Sequence, residues 1–140
     1  MNNKKRAKIL IVDDEPRNVK LLEAMLLADG YAPLSVSSGE AALRMAAAEL
    51  PGLILMDIMM PGMNGFEATE KLKSDPATRD IPVIVVTSLD DRESRLFALQ
   101  AGADEFISKP VDRAELSLRV KNVLMMKECR RLMERDAIAR

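Results

Sequence analysis

The 140-residue chain contains no histidine. Without an imidazole it cannot use Ser-His-Asp or Cys-His nucleophile activation, a histidine general base, or the usual histidine zinc sites. Any chemistry in this chain must therefore come from carboxylates, hydroxyls, lysine, arginine and the backbone.

The chain also has one cysteine, Cys129, and lacks any long apolar run. A single cysteine cannot form an internal disulfide, and no stretch approaches the roughly 20 uncharged apolar residues of a membrane helix. The basic N-terminus leads into a short apolar stretch that stops at two aspartates, which is unlike a signal peptide. We therefore expect a cytoplasmic protein.

Charge of either sign is nearly balanced, with 21 Lys and Arg against 22 Asp and Glu and a net charge of −1. No global field attracts the chain to nucleic acid or to an anionic membrane, so neither is an expected partner. The hydrophobic content of 48% is enough to bury one core in a chain too short for two well-formed domains.

Short apolar runs alternate with segments of helical periodicity along the chain. The predicted strands are KILIVDD, YAPLSV, LILM, IPVIVVTS and DEFISKP. The predicted helices are EPRNVKLLEAMLLADG, a segment from Ser37 to Pro51, Phe66–Lys73, DDRESRLFALQAG and a last helix from near Asp112. Ser37 with Glu40 predicts a capping box for the second helix. Five β/α units in strict alternation imply an α/β fold, with a parallel sheet between two helix layers.

Polar residues come directly after four of these strands. Asp13 and Asp14 follow the first strand, Asp57 the third, Thr87 the fourth and Lys109 the fifth. Open α/β sheets bind ligands at the edge formed by the carboxyl ends of their strands. Three carboxylates there would repel one another unless a cation kept them ionised, and Mg²⁺ prefers such oxygen ligands. A carboxylate nucleophile, a hydroxyl donor and a lysine together predict phosphoryl transfer to Asp57.

Each of these residues also has an ordinary structural explanation. Asp14 or Asp57 could cap a helix, Thr87 could be a simple strand residue, and Lys109 could be a solvated loop lysine. The prediction of a site depends on the set of residues and on their common position at strand ends, because no one of them is sufficient alone.

The stretches ILIVDDEP, LILMDIMMPGMNG, VIVVTS and FISKP, within Ala7 to Leu124, resemble the receiver domain of two-component response regulators. The resemblance implies a flavodoxin-like, doubly wound (βα)5 fold with strand order 2-1-3-4-5. Residues 1–6 would form a tail, 7–124 the receiver domain, and 125–140 a helical extension or linker. The resemblance also implies that the phosphoryl donor is a phosphohistidine on a separate histidine kinase or histidine phosphotransfer protein. The absence of histidine excludes a histidine phosphodonor within this chain.

The resemblance also assigns roles to the acidic residues. Asp57 would be the phosphoacceptor. Asp14 and Asp57 would bind Mg²⁺ directly, together with the backbone carbonyl of Met59, and Asp13 would act largely through water. Such a chain is not an enzyme acting on other substrates, but it takes part in its own phosphorylation and dephosphorylation.

The remaining assigned roles concern the phosphoryl group and the switch. Thr87 and Lys109 would contact the phosphoryl oxygens, and a cis peptide would join Lys109 to Pro110. Thr87 and Phe106 would be the switch residues. Many family members have tyrosine where this chain has Phe106, which cannot make the hydrogen bond of a tyrosine hydroxyl.

The expected output is a change in the surface formed by the fourth helix, the fifth strand and the fifth helix, which controls an effector domain or protein. The stretch DDEPRNVKLLEAML resembles receivers that precede cyclic-di-GMP synthesising or degrading domains, or that belong to hybrid histidine kinases.

An alternative function is that of an Asp-nucleophile phosphatase of the haloacid dehalogenase type. That family requires a second aspartate two residues after the nucleophile, where this chain has Met59. A flavin or nucleotide protein would instead need a glycine-rich or hydroxyl-rich phosphate loop in place of DDEPR.

No glycine or proline interrupts the helical pattern between Asp112 and Arg140. We expect a continuous helix of about 43 Å, at roughly 1.5 Å per residue, that extends past the domain. Within it Met126, Cys129 and Met133 form a narrow apolar seam. Two interpretations stay open: a solvated terminus, or a signalling helix that pairs with a second copy as a homodimer or leads into an effector domain.

Overall fold

A computed structural model describes residues 6–89 and 91–139 of the chain. Within these residues five strands alternate with five helices: β1 Lys8–Val12, α1 Pro16–Ala28, β2 Ala32–Val36, α2 Gly39–Glu49, β3 Leu53–Met56, α3 Gly65–Ser74, β4 Val83–Thr87, α4 Arg92–Gln100, β5 Glu105–Ser108 and α5 Arg113–Ala139. All strand pairs are parallel, in the order β2-β1-β3-β4-β5. The α/β class, the strand order and the long last helix are confirmed.

The sheet is buried on both faces by helices. In β1, Ile9 and Ile11 pack with α1 and α5, whereas Leu10 and Val12 pack with α2, α3 and α4. Successive strand residues point to opposite faces, so a strand covered on both sides is apolar at every position. This is why the runs LILM and VIVVT are fully buried, while β2 at the sheet edge is only partly buried.

The start of α2 differs from the predicted capping box. The N-cap is Ser38, whose Oγ accepts a hydrogen bond from the backbone N of Ala41 at 3.1 Å. The third helical position therefore belongs to Ala41, and Glu40 lies one residue too early to complete a box. The Ser37 prediction was wrong by one residue, because the helix begins one residue later than the sequence pattern indicates.

Helix α4 also begins later than the predicted segment, whose first residue, Asp90, lies outside the described residues. Its N-cap is Asp91, whose carboxylate accepts from the backbone N of Ser94 at 2.6 Å. The helix ends at Gln100, and Gly102 follows with a φ of +102°, a conformation that favours glycine.

Helix α5 runs from the carboxyl edge of the sheet back to the opposite edge and continues beyond it. Leu116, Val120 and Val123 are buried against the sheet. Several large apolar side chains farther along are exposed, namely Met125, Met126, Leu132 and Met133. None of the helices in the described part of the chain is both long enough and apolar enough to span a membrane.

Candidate functional site

Backbone hydrogen bonds continue the sheet by one residue beyond three of its strands. The N–H of Asp57 donates to Val12 O at 2.9 Å, and the N–H of Lys109 donates to Thr87 O at 2.8 Å. The N–H of Asp13 donates to the carbonyl of the last residue of β2 at 3.2 Å. These side chains are therefore held at the carboxyl edge by the sheet itself, with less freedom than residues on a loop.

Three carboxylates meet at this edge. One oxygen from each of Asp13, Asp14 and Asp57 lies within 4.8 Å of the others. Asp13 and Asp57 are buried, with exposures of 2% and 7%, whereas Asp14 is exposed. Strands β1 and β3 are neighbours in the sheet, which is why residues so distant in sequence are adjacent here.

Lys109 brings a positive charge to this cluster. Its Nζ lies 2.9 Å from Asp13 Oδ2 and 3.5 Å from Asp57 Oδ1. The other oxygen of Asp13 accepts a hydrogen bond from the backbone N of Glu15 at 2.9 Å. One ammonium among three ionised carboxylates leaves an excess of about two negative charges.

Burial raises the pKa of the Asp57 carboxyl from its usual 3.8 to about 6. The nearby Asp13 adds to the rise, and Lys109 opposes it. The anionic form of Asp57 is thus costly without further positive charge. An oxygen-only donor set, excess negative charge and a desolvated carboxylate fit a hard divalent cation such as Mg²⁺.

The loop after β3 alternates buried and exposed side chains. Ile58 and Met60 are buried, while the side chain of Met59 is 60% exposed. The buried pair anchors the loop in the core beneath α2, α3 and α4, and Met59 is two residues after Asp57 in the chain.

Thr87 and Phe106 lie on the face of the sheet that α4 covers. Thr87 is fully buried at the end of β4, and its Oγ1 accepts a hydrogen bond from Leu89 N at 3.2 Å. Phe106 of β5 is paired with Val85 of β4. Thr87 is two residues after Val85 in β4, so the side chains of Phe106 and Thr87 lie on the same face of the sheet. The guanidinium carbon of Arg95 lies 5.1 Å from the centre of the Phe106 ring. The carboxylate cluster does not include Phe106.

The peptide bond between Lys109 and Pro110 is cis. It follows β5 directly, at the point where the lysine side chain turns toward the carboxylates.

Helix caps are supplied by residues other than the site aspartates. The N-cap of α1 is Glu15, whose carboxylate accepts from Arg17 N at a long 3.5 Å. The N-cap of α3 is Asn64. Capping therefore does not explain the positions of Asp14 and Asp57.

Sequence reasoning missed the contribution of Gly65. Its N–H donates to Ile58 O at 2.9 Å, and a Cβ on this residue would lie 2.1 Å from the backbone O of Asp57. Helix α3 can begin against the Asp57 backbone only because no side chain intervenes. The available signal was a glycine directly before the predicted helix Phe66–Lys73, where a larger residue would favour helix formation more strongly.

A reciprocal capping box fixes the same helix start. The Asn64 side chain accepts from Glu67 N at 2.9 Å, and the Glu67 side chain accepts from Asn64 N at 3.0 Å. Two otherwise unpaired donors are satisfied in this way.

A family model described as the response regulator receiver domain matches residues 9–121 of the chain. The chain belongs to this family. The match covers the acidic edge and the five-stranded sheet apart from Lys8, the first residue of β1, and it gives no support to the haloacid dehalogenase alternative. Two-component signalling is the context in which homologous receivers operate.

Individual relatives agree with the family assignment. Response regulator PleD of Caulobacter vibrioides is 49% identical over 121 residues, which cover 86% of this chain and 27% of PleD. Protein PilH of Pseudomonas aeruginosa is 42% identical over 118 residues, 84% of this chain and 98% of PilH. The receiver thus spans about a quarter of one relative and nearly all of another.

A solved structure shows the same architecture. The receiver domain of sensor histidine kinase PA1611 from Pseudomonas aeruginosa PAO1, with a magnesium ion coordinated in its active site cleft, superposes with a TM-score of 0.80. It is 33% identical, and the match covers 86% of this chain and 98% of that one.

Proposed function

We propose that this receiver is a phosphorylation-dependent switch of a two-component system, with Asp57 as the phosphoacceptor. The donor is a phosphohistidine on a histidine kinase or a histidine phosphotransfer protein. A phosphorus–oxygen bond forms to an Asp57 carboxylate oxygen as the phosphorus–nitrogen bond to the imidazole breaks. The observation that carries the proposal is the position of Asp57 at the carboxyl edge, beside two further carboxylates and the Lys109 ammonium.

Asp14, Asp57 and the Met59 carbonyl would hold Mg²⁺ directly, and Asp13 would hold it largely through water. When bound, this ion supplies charge compensation for the carboxylates and for the phosphoryl oxygens. The fit between the ion and the site rests on the oxygen-only donors and on the excess negative charge around Asp57.

Lys109 and Thr87 would stabilise the phosphoryl group. The Lys109 ammonium contacts two carboxylates, so it is close enough to the acceptor to neutralise added negative charge. The Thr87 oxygen accepts a hydrogen bond from Leu89 N, which leaves its O–H proton available to donate. A phosphoryl oxygen on Asp57 is the acceptor that we assign to this proton.

The output of the switch is a change in the surface of α4, β5 and α5, centred on Thr87 and Phe106. This change would control an effector domain or protein, or the pairing of two copies of the chain. In this proposal residues 7–124 form the cytoplasmic receiver and residues 125–140 an extension or linker. The receiver catalyses no reaction other than its own phosphorylation and dephosphorylation.

Phosphate uptake can be measured without a kinase. Incubation with acetyl phosphate and Mg²⁺ should raise the intact mass by one phosphoryl group, because the site itself supplies positioning and charge compensation. Asp57→Ala should stay unmodified. Asp80→Ala, which removes an exposed carboxylate from the α3–β4 loop, should be labelled like the wild type. Equal labelling of the wild type and Asp57→Ala would contradict the proposal.

A further inference from the structure

Helix α4 is attached to the sheet mainly through small side chains. Its buried residues are Ser94 and Ala98, whereas Leu96, Phe97 and Leu99 are 48%, 49% and 60% exposed. Small side chains bury little apolar area and so stabilise the packing of a helix only weakly. The position of α4 therefore depends strongly on its few contacts with larger side chains.

Two ring contacts supply such attachments. The Phe97 ring packs against Phe66 at the start of α3, with ring centres 5.8 Å apart and planes inclined by 53°. On the other side of the helix, the Arg95 guanidinium lies over the Phe106 ring of β5 at 5.1 Å. A guanidinium at this distance from a ring is attracted by the negative face of the π system.

The Phe106 ring has no hydroxyl, so it cannot be linked to α4 by a hydrogen bond. It lies on the same sheet face as Thr87, two positions closer to the start of the strands. Thr87 and the ring are thus diagonal neighbours on adjacent strands, and the ring in turn contacts Arg95 of α4.

We propose that Arg95 is a positioning residue that couples the Phe106 ring to α4, so that the ring and the helix move together. A cation–π contact thereby performs the linking role that a tyrosine hydroxyl would otherwise fill. This inference rests on the proposed function, because it assigns the route from a phosphorylated Asp57 to the α4 surface.

The contact itself can be measured by a double-mutant cycle in urea, without any phosphoryl group. The variants are Arg95→Gln, Phe106→Leu and the double variant, with Arg92→Gln on the same helix as the control. We expect Arg95 and Phe106 to be coupled by roughly two- to fivefold in the unfolding equilibrium constant. We expect Arg92 and Phe106 to be additive. Additivity of Arg95 and Phe106 would overturn the proposal.

The signalling role needs a second readout that simple loss of stability would not reproduce. Amide exchange across residues 92–100 should change when wild-type protein binds beryllium fluoride with Mg²⁺ as a phosphoryl mimic. Arg95→Gln should lose most of this response, while Arg95→Lys, which keeps the cation, and Arg92→Gln should retain it. Intact-mass labelling by acetyl phosphate should be the same in all four proteins.

An undiminished α4 response in Arg95→Gln would overturn the coupling role. So would a wild-type protein that is phosphorylated on Asp57 without any exchange change in α4. If no protein takes up phosphate, the proposed function fails instead, and the urea cycle still decides whether Arg95 and Phe106 are coupled.

Discussion

At the scale of single residues, the main feature of the site is a carboxylate held in an unfavourable place. The folded protein raises the pKa of Asp57 to about 6, from 3.8, chiefly through burial. The folded state therefore binds a proton at Asp57 more tightly than the unfolded chain does. This contribution to stability is complete below about pH 4 and is lost as the pH rises through 6.

Asp57→Asn should accordingly stabilise the metal-free protein at pH 8. The gain in the free energy of unfolding should be on the order of 2–3 kcal/mol, because each pKa unit corresponds to about 1.4 kcal/mol. At pH 4 the gain should largely disappear. Urea unfolding of both proteins at several pH values in a chelating buffer would measure it.

Mg²⁺ provides the control for this experiment. Mg²⁺ should raise the free energy of unfolding of the wild type, since a ligand that binds only the folded state stabilises it. The difference in stability between the wild type and Asp57→Asn at pH 8 should therefore become smaller. Two results would contradict this explanation: a difference in the free energy of unfolding that does not change with pH, or an Asp57→Asn variant less stable than the wild type at pH 8. Either would show that the buried charge of Asp57 does not destabilise the folded protein.

At the scale of elements, the start of α3 is fitted against the backbone of the site. Gly65→Ala would place a methyl group 2.1 Å from the Asp57 carbonyl oxygen, where no rotation of a side chain can relieve the clash. We expect a loss of about 1–3 kcal/mol in the free energy of unfolding, and slower phosphate uptake because the Asp57 loop must shift. Urea unfolding and intact mass would record both effects.

Gly52→Ala is the matched control. A Cβ there would lie 3.5 Å from the nearest atom, Lys8 O, which is an ordinary contact. Its stability and its phosphate uptake should stay close to those of the wild type. If Gly65→Ala behaves in the same way, the close approach of α3 does not position Asp57.

Periodicity and turn residues were sufficient to predict all ten elements and the convergence of Asp13, Asp57 and Lys109. For Asp13 and Asp57 the convergence follows from topology, because residues at the carboxyl ends of adjacent parallel strands must be neighbours. Lys109 follows β5, which β4 separates from β3, and its long side chain spans that gap. The Gly65 contact and the Arg95 contact with Phe106 could not be predicted. Both depend on distances between elements, and no local pattern encodes these distances.

At the scale of the whole molecule, α5 extends beyond the receiver, and the apolar seam of Met126, Cys129 and Met133 lies on this exposed part. Removal of the residues after Leu124 should leave phosphate uptake intact, because the site lies at the opposite edge of the sheet. It should abolish any self-association of the 140-residue chain, because the exposed Met126 and Met133 lie in the removed segment. Analytical ultracentrifugation of the phosphorylated and unphosphorylated forms would measure this.

Point variants of the 140-residue chain distinguish the effect of removing these apolar side chains from the effect of shortening the chain. Met126→Lys with Met133→Lys should weaken self-association, while Leu27→Lys, at an apolar position of similar exposure on α1, should not. If all these proteins show the same association state by sedimentation, phosphorylated and unphosphorylated, the extension is not the element through which two copies pair.

The continuity of α5 makes its outer half a lever arm whose fulcrum is the segment packed on the sheet. The part beyond Leu124 is one uninterrupted stretch of helix to Ala139, so it is roughly 22 Å long at about 1.5 Å per residue. A tilt of about 5° at the packed segment displaces the far end by about 2 Å, which exceeds the roughly 1.5 Å rise of a helix per residue. A rearrangement too small to disturb the buried core would thus be magnified mechanically at the far end of the helix.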